Sequence, residues 1–231
     1  MAWSRRYATR SPGTASPAPI VLAISLGGMV ALRWAQRFPD EVACLVLINS
    51  SLRGIAPFHQ RLRPRQYPRL LQALLLPLGH EQRERLILRM TTRLQDDLPG
   101  VAQRHARWQR EAPVSKANLM RQLLAAARGF SPPQELPGLP ALVLASRSDQ
   151  MVSWRCSKAM AERWGWPLEL HPKAGHDLPL DDPDWVVERI RQWYGASLSG
   201  SQQPGGERHP HQPDGGSGEG AKAKADPQAE E

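Results

Sequence analysis

The sequence predicts an α/β fold: a parallel sheet flanked by helices and interrupted by one all-helical insertion. Three observations carry this expectation. First, "PIVLAIS", "LGGMVALRWAQRFPDEV" and "ACLVLINSS" follow one another as an apolar strand, an amphipathic helix and a second apolar strand. Short links between them make a βαβ unit, which implies parallel pairing and a right-handed crossover. Second, residues 53–130 hold four helical stretches and no strand pattern. Third, strand and helix alternate again from residue 131 to a closing helix.

Residues 1–18 contain no strand pattern and are expected to be irregular. Their basic "SRRYATR", followed by the apolar run at "IVLAISLGGMVAL", mimics an export signal, and Arg5 and Arg6 mimic a twin-arginine address. Two features argue against export. The proline-broken "SPGTASPAP" separates the basic and apolar parts, and Arg33 stands where a small-residue cleavage site is needed. Cys44 and Cys156 are the only cysteines and form no CxxC, so a cytoplasmic location is the expectation. No apolar run has the length to span a bilayer.

The core is assigned to residues 19–52 and 131–195. "PIVLAIS" is short and rich in Ile and Val, as in a strand buried on both faces. In the helix after it, Met29, Leu32, Trp34 and Ala35 lie close to one stripe, and Pro39 ends it. After the insertion come the strand "LPALVLASRSD" and the helix "SWRCSKAMAERW", with Ser153 as its N-cap. The short strand "PLELHP", the loop "KAGHDLPLDDP" and a helix "DWVVERIRQWY" opened by Asp184 complete the pattern. Residues 196–231 have almost nothing to bury and read as a disordered tail, with His209 and His211 solvated.

The insertion, residues 53–130, reads as a helical cap built from "YPRLLQALLLPL", "EQRERLILRMTTRLQ", "VAQRHARWQREA" and "SKANLMRQLLAAARGF". It holds fourteen Arg and one Lys against five acidic residues between 53 and 128, a local excess larger than the +8 of the whole chain. No glycine-rich or aromatic readout element accompanies this charge, so nucleic acid is not the expected partner. Two readings remain: solvated helix faces, or a mouth that favours anionic substrates. Arg61, Arg63, Arg65 and Arg69 cluster in its first segment.

Three residues carry chemistry. Ser25 stands at a strand-to-helix turn, with Gly27 and Gly28 allowing the backbone to bend sharply. Asp149 follows one later strand and His176 the next. Parallel strands end on one edge, so these three loops converge there. A serine hydroxyl needs a base to take its proton, and an imidazole needs a carboxylate to hold its tautomer. Asp177, Asp181 and Asp182 compete as the acid but follow the histidine in the chain. His59, His80, His105 and His171 have no such context and read as structural or solvated.

Residues 19–194 resemble the C-terminal two-thirds of an α/β-hydrolase fold enzyme with a helical cap. The resemblance rests on "AISLGG" at the turn, "RFPDEVACLVLINS" after it, "SRSDQMV" around the acid and "AGHDLPLDDP" around the base, in that order. It implies a carboxylic ester hydrolase with Ser25 as nucleophile, Asp149 as acid and His176 as base. The N–H of Leu26 would supply one oxyanion-hole bond, and no cofactor or metal would be needed. The expected partner is a small-molecule or carrier-linked acyl ester, with no nucleic acid and no membrane. A cofactor-free haloperoxidase would use the same three residues.

The sequence also departs from that pattern. Ala23 stands where the family's turn has Gly, and Ser146 and Ser153 replace a common Gly and Pro at the acid turn. Such enzymes carry several strands ahead of the nucleophile strand, together with a second oxyanion donor. Only eighteen residues precede Pro19 here, so a fold truncated at its N-terminus is expected. A catalytically impaired or non-catalytic remnant with a binding role is therefore the alternative.

Overall fold

The protein is represented by a computed structural model that describes residues 18–129, 136 and 138–200. The expected irregular start and most of the expected tail lie outside these residues.

Four strands form one sheet in the order β1-β2-β3-β4, all parallel: β1 (Ile20–Ile24), β2 (Cys44–Ile48), β3 (Ala141–Ser146) and β4 (Leu168–His171). Alternate side chains enter two separate cores, because successive residues of a strand face opposite ways. Ala23, Leu45, Leu47 and Ala141 pack beneath α1 (Leu26–Arg37), with Met160 of a later helix joining them. Val46, Ile48, Leu142 and Leu144 pack on the other face against Leu178, Val186, Trp185 and Ile190. The strands β2 and β3 are buried at every position, which explains their unbroken apolar sequences.

Strand β1 differs from its expectation. Its composition reads as buried on both faces, yet Ile20 is 45% exposed and Leu22 51%. Val21 and Ala23 meet α1, but the helix covering the other face reaches only Ile24. Among the described residues β1 has a partner on one side alone, so it is an edge strand with an apolar row beside an unpaired backbone.

Between β2 and β3 lie α2 (Phe58–Arg61), α3 (Tyr67–Leu75), α4 (His80–Thr91), α5 (Leu98–Glu111) and α6 (Lys116–Arg128). The four helical stretches of the sequence match α3 to α6; the four-residue α2 is too short to give a periodic signal. Leu88, Val101 and Ala102 make a small core that closes on Leu180, four residues after His176. Arg61 is turned inward and donates to the carbonyls of Ala126 and Ala127 in the last turn of α6. That bonding takes Arg61 out of the basic surface to which the sequence assigned it.

The chain then forms α7 (Trp154–Trp164), with Ser153 accepting from the Arg155 N–H at 3.4 Å as its N-cap. The segment expected as a loop contains α8 (Leu178–Asp181), and the final helix α9 (Pro183–Gly200) opens one residue earlier than expected. Asp182, not Asp184, offers the capping oxygen, accepting from the Trp185 N–H at 3.0 Å. No helix among the described residues is long and apolar enough to cross a membrane.

An uncovered apolar edge strand is a template for pairing between copies. Sedimentation velocity of the full chain is expected to show concentration-dependent association that Leu22→Lys reduces. A monomer at all concentrations would show that β1 is protected.

Candidate active site

Ser25 directly follows β1 and opens α1 with φ 52° and ψ −118°. A non-glycine residue with positive φ is strained by about 1–3 kcal/mol, and it persists only where its surroundings over-determine it. Here they do. The Ser25 N–H donates to the Ile48 carbonyl at 2.9 Å, continuing the β1–β2 ladder through the turn. Its carbonyl accepts from the Gly28 N–H at 3.1 Å and from the Ser50 hydroxyl at 3.1 Å. A Cβ on Gly28 would lie 2.1 Å from Ser50 Oγ and 2.8 Å from Ser50 Cβ, so this position admits no side chain. Leu26, the first residue of α1, has no intrahelical acceptor for its N–H, as at any helix start.

Asp149 lies after β3 and is 1% exposed. Its Oδ1 accepts from the backbone N–H groups of Met151 at 2.7 Å and Val152 at 3.0 Å, which fixes the carboxylate in its turn. Oδ2 remains and accepts from His176 Nδ1 at 2.7 Å. A carboxylate only accepts, so the His176 proton sits on Nδ1 and Nε2 is left as the basic nitrogen. His176 is buried. Burial alone would lower its pKa, but the charge and hydrogen bond of Asp149, helped by the Asp177 charge, outweigh it and hold the pKa above the usual histidine value. Burial also pushes the Asp177 carboxyl up.

Asp149 and His176 are thus joined, and Ser25 ends a strand of the same sheet edge. No hydrogen bond links Ser25 to His176 among the described residues. The competing carboxylates have other duties. Asp181 accepts from the backbone N–H groups of Arg93 at 2.9 Å, Leu94 at 3.2 Å and Gly175 at 2.6 Å. Asp182 Oδ2 bonds His171 Nε2 at 3.2 Å. Of the remaining histidines, His105 stacks on Trp108 and lies 3.6 Å from the buried Glu84. Cys44 and Cys156 are buried free thiols, and burial pushes Cys156 up to about 12.

The insertion is tied to this site at two loops. The Arg63 N–H donates to the Met151 carbonyl and the Ser153 N–H to the Gln60 carbonyl, both at 2.8 Å, beside Asp149. The Asp177 N–H donates to the Thr91 carbonyl at 2.8 Å, beside His176. A Cβ on Gly175 would sit 2.5 Å from that same carbonyl, which accounts for a glycine there. Sequence reasoning missed Asn49, Ser50 and the role of Asp181. The one signal available was their position, directly after a buried strand or within the histidine loop. Among the described residues, no group of three His, Cys, Asp or Glu could hold a metal ion.

The raised pKa of His176 has a definite sign in stability. Its charged pair with Asp149 contributes in full below the unfolded value of about 6.5 and is lost as pH rises through the folded value. Asp149→Asn leaves burial unopposed by that charge, so the NMR titration midpoint of His176 should move downward. A midpoint that stays in place would mean that Asp149 does not control the imidazole.

Comparison with known proteins follows the same lines. The sequence profile described as "Alpha/beta hydrolase family" matches residues 3–189. Three solved structures illustrate the shared fold. A candidate lipase from Acinetobacter baumannii AYE aligns with a TM-score of 0.61 and 17% identity, over 81% of this chain and 63% of that one. The 2-hydroxy-6-oxo-6-phenylhexa-2,4-dienoate hydrolase of Rhodococcus sp. strain RHA1 gives 0.59 and 16%, over 78% and 64%. A thermophilic esterase from Thermogutta terrifontis gives 0.57 and 21%, over 78% and 65%. This chain therefore spans less than two thirds of the length of each of these three. No curated protein matches it. With most of its length matched by the family profile and its parallel sheet aligned with these structures, the chain belongs to the alpha/beta hydrolase family.

Proposed function

We propose that the protein is a serine hydrolase that cleaves a carboxylic ester through Ser25, His176 and Asp149. The observation that carries this reading is the buried 2.7 Å bond between His176 and Asp149, on the sheet edge where the strained Ser25 turn also ends. Ser25 Oγ attacks the acyl carbon while His176 Nε2 takes its proton. The imidazolium formed is stabilised by Asp149, and it returns the proton to the leaving alcohol. Water, deprotonated by the same Nε2, then attacks the acyl-enzyme and releases the acid with Ser25 restored. The Leu26 N–H donates to the oxyanion in both steps. This chemistry is complete without a metal or cofactor.

One observation favours a second reading, a catalytically impaired or non-catalytic member of the fold: Ser25 and His176 are not hydrogen-bonded. Bonds of this kind are often long before substrate arrives and tighten in the complex. Labelling decides between the readings. A fluorophosphonate probe is expected to modify Ser25, and Ser25→Ala to abolish the reaction. Asp149→Asn should slow labelling by on the order of 10³–10⁴, since the wrong tautomer disables the base. Folded protein that resists the probe would favour the non-catalytic reading.

For the substrate, we propose an anionic small-molecule ester or an acyl group on an acidic carrier, on the strength of the basic insertion. Arg65 and Arg69 are exposed and are the positions for charge reversal, whereas Arg61 is not. Steering by exposed charge weakens as the Debye length shrinks from about 10 Å at 0.1 M salt to about 3 Å at 1 M. kcat/KM for an anionic ester should fall steeply over that range, while a neutral ester should change little. Parallel salt curves would reduce the insertion to an uncharged role.

A further inference from the structure

Asn49 directly follows β2 with φ 45°, in the left-handed region that Asn tolerates better than most residues. It is 1% exposed, so its amide must find every partner within the protein. Its Oδ1 accepts from the Ser146 N–H at 2.8 Å. Its Nδ2 donates to the His176 carbonyl at 2.8 Å, and at longer range to Ser146 Oγ at 3.2 Å and the Gly175 carbonyl at 3.3 Å. Carbonyl oxygens only accept, so the amide nitrogen has to face the base loop and the orientation is unambiguous. The Asn49 N–H also donates to the Leu144 carbonyl at 3.0 Å. One side chain therefore joins the end of β2, the end of β3 and the residue that carries the imidazole.

We infer that Asn49 is the positioning residue for His176, setting where the base loop stands on the sheet edge and so how Nε2 approaches Ser25. The inference rests on the reading of His176 as the base. The Asp149 bond orients the ring from its far side but leaves the backbone of residues 175 and 176 free to slide. Asp181 holds Gly175 from the side of the insertion, at 2.6 Å. Asn49 is the hold from the sheet side, and its shortest donor bond goes to His176 itself.

Three variants of the full chain separate positioning from simple stitching. Asn49→Asp keeps the acceptor for the Ser146 N–H but turns a carboxylate oxygen toward two carbonyls, breaking the base-loop half alone. Asn49→Gly removes the side chain while φ 45° stays allowed. Ser146→Ala removes one acceptor and leaves the base-loop half intact. Readouts are the NMR titration of the His176 ring and the rate of fluorophosphonate labelling at Ser25. Both Asn49 variants are expected to slow labelling by about 10²-fold, the usual cost of a misplacement near 1 Å, and Asn49→Gly, which adds no charge of its own, to lower the His176 midpoint from its raised value. Ser146→Ala should change neither. A folded Asn49→Gly variant with an unaltered His176 midpoint overturns the inference, as does an equal effect from Ser146→Ala. The wild-type chain gives a check that needs no variant: a scalar coupling across the hydrogen bond from Asn49 Nδ2 to the His176 carbonyl carbon, whose absence overturns the inference. Wild-type protein that resists labelling sinks the hydrolase reading alone, because the titration still decides whether Asn49 positions the imidazole.

Discussion

Parallel strands all end on the same edge, and the backbone groups left there must be satisfied where water is excluded. The rest of this structure follows from that constraint. At the end of β1 the ladder is continued through the Ser25 turn to Ile48. At the ends of β2 and β3, Asn49 exchanges two bonds with Ser146 and reaches on to the His176 carbonyl. Asp149 satisfies two N–H groups of its own turn before meeting the imidazole. Each loop is thus held by a bond made at the edge, and the chemistry is what remains once those bonds are made. Ser50 shows the same economy, since one buried hydroxyl supports the strained carbonyl of Ser25 and excludes a side chain at Gly28.

Much of this was legible in the sequence. The succession of strand, helix and strand gives the parallel sheet, and the order of Ser25, Asp149 and His176 after three strands brings their loops to one edge. Four of the five helices of the insertion have enough turns to be periodic. Other features were not legible, for physical reasons. Asn49 bonds partners 97 and 127 residues away, and nothing in a local window marks that separation. Asp181 reaches 88 residues back to Arg93 for the same reason. The composition of β1 says that it is apolar but not whether anything covers it. In "LPLDDPDW", three carboxylates compete for one helix cap, and Asp182 takes it because it directly precedes Pro183, the first residue of the helix.

The charge of the insertion suggests docking by ion pairs, but the contacts are of another kind. The ion pairs given by the structure with arginine or lysine join residues within one helix: Glu81 with Arg85, Glu111 with Arg107, and Glu162 with Lys158. The insertion meets the Asp149 loop through Arg63 and Gln60 backbone groups and the Gln66 amide, and the His176 loop through Thr91, Arg93 and Leu94 backbone groups and the Gln95 amide. Such bonds are directional and short-ranged, and salt screens them little. Guanidinium groups such as those of Arg65 and Arg69 are left on the outside, so the surface can be basic without the attachment depending on its charge.

The close packing of Thr91 against Gly175 has a mechanical consequence. Three backbone groups at the end of α4 and the turn after it, the Thr91 carbonyl and the N–H groups of Arg93 and Leu94, bond residues 175–181, among them the bond from the Asp177 N–H, one residue beyond the imidazole. Swinging that end of the insertion away from the sheet would break those bonds and remove one of the holds on the turn that carries His176, leaving those of Asn49 and Asp149. The end of α4 and the turn that carries His176 are therefore mechanically coupled: neither shifts without breaking bonds to the other.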